Sequence, residues 1–326
     1  MCSLHGLIRG PSFLKRLEVL SRTPAIAGRK EGGSRPPERE RIHLTGRSTD
    51  YDPRVHAIRP DVADIALADI IFAPHYASPL LRAVTVVSTM LRAKGSEDSP
   101  AVSQLLQGET FHVLDEAGGW AWGYCGHDHY VGYIRADALG IPSEPSHFIS
   151  AREALLFAQP DIKSPPLSTL SLGARVGGTI IGDFLATGTG FVHRRHIAPI
   201  GMLFSDPVAT AERLLGAPYL WGGRGAGGID CSGLVQLALS LSGNECPRDS
   251  DQQRMVLGDE IPVDASLQRG DLLFFPGHVG FMANDTDLVH ANAWWMAVVV
   301  EPLRDVIERL RASYDQPILA RRRLLS

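Results

Sequence analysis

A single cysteine, Cys231, stands in the run GIDCSGLVQLAL (Gly228 to Leu239), between a glycine-rich loop and an apolar segment of helical period. A thiol in the first turn of a helix lies against unpaired N–H groups and the positive end of the helix dipole, which favour thiolate over thiol. A cysteine nucleophile also needs a base to take its proton and a third group to hold that base in one tautomer. Two histidines stand where this is required. His278 lies in FFPGHVGF, at a glycine turn opening a strand, and His290 lies in LVHANA, twelve residues on. The pattern puts His290 on the neighbouring strand, where antiparallel pairing would set the two rings side by side as a Cys-His-His arrangement.

The elements that must position these groups read as an α+β domain over residues 201–326. It opens with DPVATAERLLGAPY, where Asp206 caps a helix and Pro207 takes its first position. A glycine loop follows, then an apolar helix (Ser232 to Ser242), a polar linker, and three strand-like runs, RGDLLFFPGHVGFM, DLVHANA and AVVVEPL. A terminal helix and a last strand, ILARRRL, close it. Upstream, residues 83–142 alternate in short segments, AVTVVSTMLRA, GETFHVLDE, GGWAWGYC and HYVGYIRADAL, around a long polar loop, KGSEDSPAVSQ. That is the pattern of a small antiparallel barrel. A weaker copy over 143–200 repeats the order, with Leu105-Leu106-Gln107-Gly108 matched by Leu170-Ser171-Leu172-Gly173, and Gly132-Tyr133-Ile134 by Gly190-Phe191-Val192. Residues 1–50 are rich in Gly, Pro, Arg and Glu and read as a disordered arm. Residues 51–82 recover apolar character and read as an extension packed on the barrels, with one short helix near Asp61 to Ala68.

Bulk properties narrow the function classes. At 326 residues the chain calls for more than one domain, and a formal charge of -4 points to neither a nucleic acid nor an anionic membrane surface. The four cysteines, Cys2, Cys125, Cys231 and Cys246, form no CxxC pair, so neither a metal site nor a disulfide framework is expected, and a reducing compartment fits. The N-terminus has no apolar run of the length a signal peptide or a membrane span requires, which points to the cytoplasm. No cofactor is called for by the chemistry, and oligomeric state leaves no mark in the sequence.

The segments APYLWGG (Ala217 to Gly223), GIDCSGLV (Gly228 to Val235), PRDSDQQ (Pro247 to Gln253), LQRGDLLFF (Leu267 to Phe275), GHVGF (Gly277 to Phe281) and LVHAN (Leu288 to Asn292) together resemble the NlpC/P60 cysteine peptidases, which cleave peptide stems of bacterial cell walls. The resemblance covers roughly residues 203 to 323 and implies a papain-like fold. The modules ahead of it look like two small bacterial SH3 domains, the second degenerate. That combination is typical of members acting on γ-D-glutamyl-diamino acid bonds.

The resemblance implies roles at matching positions. Cys231 would be the nucleophile, His278 the base and His290 its orienting partner, while Tyr219 matches a tyrosine whose hydroxyl lies near the developing oxyanion. Asp249 and Ser250 match positions that hold the free amine of an N-terminal L-alanine, with Ser232 nearby. Tyr130 matches a tyrosine of the first SH3 module that closes the far end of the groove. Glu97 or Asp98, in the polar loop, would supply a second carboxylate to the amine. Trp120 and Trp122 read as core. Cys2, Cys125 and Cys246 carry no role. The implied reaction releases L-Ala-γ-D-Glu from a peptidoglycan-derived peptide, as in the recycling of wall fragments. Two alternatives stand beside it: a broader peptidoglycan amidase or acyltransferase with the same triad, and a wall-binding SH3 protein with a weak peptidase domain. Meso-diaminopimelate and L-lysine at the far side of the bond differ by a carboxylate whose receptor the sequence does not mark.

Overall fold

The computed structural model describes residues 51–324, so the arm read over 1–50 lies outside the described residues. From Tyr51 the chain crosses the first β-module with little regular structure of its own. A 3₁₀ turn at Ile65–Leu67, capped by the Asp64 carboxylate, stands where a helix near Asp61 to Ala68 was expected. The extension is held by an apolar cluster of Ala57 and Val62 with Trp122 and Tyr124, and by Arg59, which pairs with Asp115 at 2.6 Å and lies 4.5 Å above the Trp122 ring. Trp120 and Trp122 are both buried.

The first module is one seven-stranded sheet spanning Leu80 to Gly140. Two details differ from the expected pattern. The run AVTVVSTMLRA turns after Val84, and its halves, Leu80–Val84 and Ser88–Arg92, are not neighbours in the sheet. The polar loop is also shorter than read, because Ala101–Leu106 pairs with Ser88–Arg92 as a strand that buries Ser103, Leu105 and Leu106. The second module follows the same order of elements in two sheets, of five and three strands, around Leu156, Leu170, Leu185 and Val192. The matched glycines Gly108 and Gly173 both have positive φ, 76° and 89°, directly after equivalent strands. Matched 3₁₀ turns, Ala136–Ala138 and Arg194–His196, follow the closing strands.

The C-terminal part mixes helix and sheet. Helix α1 (Pro207–Glu212) starts as its sequence predicts, with Asp206 accepting from the N–H groups of Val208 and Ala209. Helix α2 (Cys231–Leu241) is buried along all but its last turn, which accounts for its nearly continuous apolar sequence. Helix α3 (Ser250–Val256) follows the PRD segment. The sheet comprises β1 (Asp259–Glu260), β2 (Leu272–Phe275), β3 (His278–Met282), β4 (Asp287–Asn292), β5 (Ala297–Pro302) and β6 (Ala320–Arg323), in the order β1-β6-β2-β3-β4-β5. Helix α4 (Leu303–Arg311) continues directly from β5. The core lies between α2 and this sheet, with Val235, Leu239, Phe274, Phe281 and Val289 in one cluster. Among the described residues no helix is long and apolar enough to cross a membrane.

Candidate active site

Cys231 is the first residue of α2, and the preceding Asp230 caps that helix by accepting from Gly233 N–H at 2.7 Å. Gly233 has to be glycine, since a Cβ there would sit 2.9 Å from Asp230 Oδ1 and closer still to the Gly223 carbonyl. The other face of Asp230 forms a buried bidentate pair with Arg248 at 2.9 and 2.6 Å, and Arg248 also donates to Ser232 Oγ and to Ser103 Oγ of the first module. One buried arginine therefore ties the helix start, the PRDS segment and the neighbouring module together. Such a pair adds little net stability but is costly to break, so it fixes geometry.

The thiol does not rest as a thiolate. Burial pushes Cys231 up to about 12, the Asp230 carboxylate adds to the rise, and the N–H groups of Val279 and Ser232 directed at the sulfur only partly oppose it. The helix terminus alone suggested the opposite direction; at 5% exposure, loss of water outweighs it. Burial, with the neighbouring imidazole of His290 adding, pushes His278 down to about 3. Both shifts favour the neutral forms, thiol and imidazole.

The two histidines are brought together as the strand pattern predicts. His278 opens β3 after the turn at Gly277, and its Nε2 lies 2.7 Å from His290 Nδ1, the rings meeting edge-on. The register Phe281 to Val289 and Met282 to Leu288, extended, sets Gly280 across from His290. A Cβ at Gly280 would fall 2.9 Å from His290 Cβ, so the glycine leaves the space through which the second ring reaches the first. His290 Nε2 lies 2.9 Å from Glu301 Oε1 on β5 and 2.8 Å from Asn292 Nδ2. Glu301 also accepts from Arg309 Nη2 at 2.6 Å, Arg309 Nη1 at 2.9 Å and Trp295 Nε1 at 3.2 Å, and against the upward push of burial the hydrogen bonds with His290, Arg309 and Trp295 hold its carboxyl down to about 2.

Cys231 opens onto a cleft of about 260 Å³ lined also by Ser232, Asp249, Ser250, Asp251, Trp221 and, from the first module, Val102 and Tyr130. Tyr219 is half-buried, hydrogen-bonded through its backbone to Met296, and bridged to Ile229 two residues before the thiol. Burial raises its phenol, with the fields of Cys231 and Asp230 contributing. Asp249 Oδ2 accepts from the Tyr130 hydroxyl at 2.8 Å and from Arg54 Nη1 at 2.8 Å, whereas Oδ1 has no hydrogen-bond donor among the described residues. Arg54 also binds Asp251 and Asp52, so one guanidinium faces three carboxylates and the mouth stays negative.

Of the residues expected from sequence, the structure gathers Cys231, Ser232, Asp249, Ser250 and Tyr130 in the cleft; Tyr219 bridges to Ile229 near the thiol, and the His278–His290 pair stands on β3 and β4, where Val279 N–H, next in chain to His278, reaches the Cys231 sulfur. Glu97 is not brought there. It is 63% exposed on the barrel and paired with Arg92 at 3.0 Å and Arg135 at 3.8 Å, which draw the acid away from Asp249; Asp98, its neighbour, does not line the cleft either. Cys125 and Cys246 are buried free thiols raised by burial. Four contributors went unread in the sequence: Arg54, Arg248, Glu301 and Arg309. The signal for Glu301 was present, since AVVVEPL places one acid in a strand otherwise fit for burial.

Two family models and several known proteins match the chain. The NlpC/P60 family model matches residues 216–312, and the model described as the bacterial dipeptidyl-peptidase Sh3 domain matches residues 91–139. Dipeptidyl-peptidase 6 of Lysinibacillus sphaericus is 47% identical over 88 residues, 26% of this chain and 31% of that relative. The chain thus aligns with only about a third of that protein's length. Gamma-D-glutamyl-L-lysine dipeptidyl-peptidase of Bacillus subtilis is 27% identical over 269 residues, covering 70% of this chain and 83% of the relative. The crystal structure of an NlpC/P60 family protein from Bacillus cereus, 20% identical, superposes over 76% of this chain and 100% of that one with a TM-score of 0.64, which establishes the shared fold.

Proposed function

The chain carries an NlpC/P60 domain behind a dipeptidyl-peptidase-type SH3 domain, and on that premise we propose that it hydrolyses the γ-D-Glu–diamino acid amide of peptidoglycan stem peptides that begin with a free L-alanine. The observation that carries this reading is the shared cleft: the Cys231 thiol and the Asp249 carboxylate, the latter held by Tyr130 of the SH3 domain, line one cavity. A wall-binding role alone would not call for that cavity. An ammonium at Asp249 Oδ1 would halve the excess negative charge at the mouth, and a charge-assisted hydrogen bond to a carboxylate is among the stronger single contacts available to it. Arg54 and Tyr130 on Oδ2 orient the carboxylate for that partner. An acyl group on the alanine nitrogen removes the charge and adds bulk, so the substrates are released fragments and not stems joined to glycan. Such a requirement fits a recycling role in the cytoplasm better than a broad wall amidase.

The reaction starts from the neutral thiol and imidazole. As Cys231 Sγ attacks the γ-carbonyl, its proton passes to His278, and the tetrahedral oxyanion is met by the Cys231 backbone N–H and the Tyr219 hydroxyl. Collapse breaks the C–N bond, with the His278 proton going to the departing amine and leaving a thioester. Water, deprotonated by His278, then attacks the thioester and frees L-Ala-γ-D-Glu with the thiol restored. No cofactor enters this sequence of steps. The second β-module, read as a degenerate SH3 copy, contributes no residue to the cleft.

The decisive experiment is hydrolysis of L-Ala-γ-D-Glu-meso-diaminopimelate by the wild-type protein and Cys231→Ala, beside the same peptide N-acetylated on alanine. Cleavage of the free peptide at the γ-bond, a dead variant and a resistant acetyl peptide are expected. Equal cleavage of both peptides would remove the amine site and return the broad amidase.

A further inference from the structure

The proposed base step imposes a condition on protons that the Cys-His-His set does not meet by itself. His278 must hold its proton on Nε2 and keep a lone pair on Nδ1 to take the thiol proton. Nε2 of His278 and Nδ1 of His290, 2.7 Å apart, share a single hydrogen, so the tautomer of one ring dictates that of the other. The choice is therefore made at the far end, at His290 Nε2. Two groups compete there. Asn292 Oδ1 accepts from Trp295 N–H at 2.8 Å, which turns Asn292 Nδ2 toward His290 Nε2, also at 2.8 Å. If Nε2 accepted from Asn292, His290 would carry its proton on Nδ1, His278 would be forced to carry its own on Nδ1, and no lone pair would remain for the thiol. If Nε2 instead donates to Glu301 Oε1 at 2.9 Å, the whole chain reverses and His278 Nδ1 is left free to accept.

We propose that Glu301, fixed by Arg309, is the positioning residue that sets the tautomer of both histidines and so makes His278 a base. The inference rests on the reading of His278 as the proton acceptor from Cys231. An ionised carboxylate facing a lone pair at this distance is repelled, and facing an N–H it is bound, so an anionic Glu301 overrides Asn292. Four donors besides His290 keep it anionic and still: both terminal nitrogens of Arg309, the indole N–H of Trp295 and, at 3.4 Å, Asn292 Nδ2, which thus has the carboxylate as an alternative acceptor to His290 Nε2. Arg309 is braced in turn, its guanidinium lying 5.3 Å from the centre of the Trp294 ring. During the reaction neither Glu301 nor His290 gains or loses a proton. The thiol S–H bond breaks, the His278 Nδ1–H bond forms, and the resulting imidazolium still donates through Nε2 to His290, whose Nε2–H remains on the carboxylate.

Glu301→Gln tests this directly, because an amide can present N–H groups to His290 Nε2 and so reverse the chain. On the full-length protein labelled with ¹⁵N-histidine, with His278→Gln and His290→Gln used to assign signals, the wild type is expected to show His290 protonated on Nε2 and His278 on Nε2. Glu301→Gln should move both protons to Nδ1. With the free peptide, kcat should fall by about 100-fold or more while KM stays within about twofold, as expected for loss of a base's correct tautomer. Glu301→Asp should recover part of the rate. Arg309→Met, which leaves the carboxylate in place but unheld, should lower kcat by about tenfold and give mixed tautomers, and it serves if Glu301→Gln does not fold. A folded Glu301→Gln with wild-type tautomers and wild-type kcat overturns the assignment, as does an Arg309→Met indistinguishable from wild type by both measures. Should the wild-type protein cleave no peptide, the ¹⁵N signals and the site-resolved rate of Cys231 alkylation by iodoacetamide across pH still decide the tautomer, separately from the substrate.

Discussion

The two β-modules share an order of strands and turns, yet they meet the catalytic domain in opposite ways. The first enters it with buried charge: Glu109 pairs with Arg224 at 2.8 Å, Arg224 also donates to the Gln104 carbonyl and to Gln236, Ser103 accepts from Arg248, and Tyr130 reaches Asp249. The second touches it through apolar packing and peripheral polar contacts: Leu172 sits in the catalytic core and Phe148 meets Phe204 edge-on, while Arg152 binds the Leu215 carbonyl, Arg213 the Ser150 carbonyl, and Ser171 Oγ accepts from Ala226 N–H. Buried, directional polar contacts hold a neighbour in one pose, whereas apolar packing and exposed hydrogen bonds add contact area with less demand on orientation. A module whose tyrosine must sit within hydrogen-bonding distance of Asp249 needs the first kind. A spacer does not.

The largest effect that would break this contrast is on stability. Glu109→Ala leaves Arg224, 2% exposed, without its carboxylate, and removing one partner of a buried pair costs about 3–5 kcal/mol. Urea unfolding should show that loss, with the N-terminal module released from the catalytic domain; a midpoint near wild type would mean that the charge is dispensable for docking. The next effect is on selectivity. Tyr130→Phe removes a hydroxyl donor to a carboxylate, a contact of about 1.5–3 kcal/mol, so kcat/KM for the free-amine peptide should drop by about 10- to 100-fold. The N-acetyl peptide should be unaffected, and equal losses on both peptides would make Tyr130 a folding residue only.

How much of this was legible in the sequence depends on whether the signal was local. Asp206-Pro207 announces α1, Gly277-His278 announces a turn and a strand, and the His278–His290 pair needs only two adjacent strands, so each was readable from a dozen residues. The shared turn conformation at Gly108 and Gly173 was readable too. Long-range partners were not. Nothing near Arg54 points to Asp249, 195 residues away, and nothing near Arg309 points to Glu301 except the exit of β5 into α4. Glu97 misled for a related reason: a polar loop near the groove suggests a ligand, but Arg92, ending the strand that enters that loop, and Arg135, ending the strand paired beside it, claim the acid first. The thiol's resting state also escaped, because a sequence shows the helix end and not the burial around it.

A third experiment sharpens the comparison through pH. If the first module closes the cleft around an ammonium, kcat/KM for the free peptide must follow that ammonium: an α-amino group titrates near about 8, so activity should fall roughly tenfold per pH unit above it. His278, pushed down to about 3, is neutral through this range and imposes no limb there. The N-acetyl peptide, however slowly it is cut, should show no such decline between pH 7 and 10. A decline common to both would belong to the enzyme and not to the amine.

The smallest expected effect falls on the second module. Arg152→Ala removes an exposed contact to the Leu215 carbonyl, and surface changes of this kind stay within about 0.5 kcal/mol. Unfolding midpoint, kcat and KM should all match wild type. A silent Arg152→Ala beside a disruptive Glu109→Ala would mean that two modules with one order of elements differ in what their interfaces must do, one holding a cleft residue in place and the other filling space. A tenfold change in KM from Arg152→Ala would instead show that the second module sets the groove through the loop at Leu215, which precedes Tyr219, and the contrast would have to be redrawn around that loop.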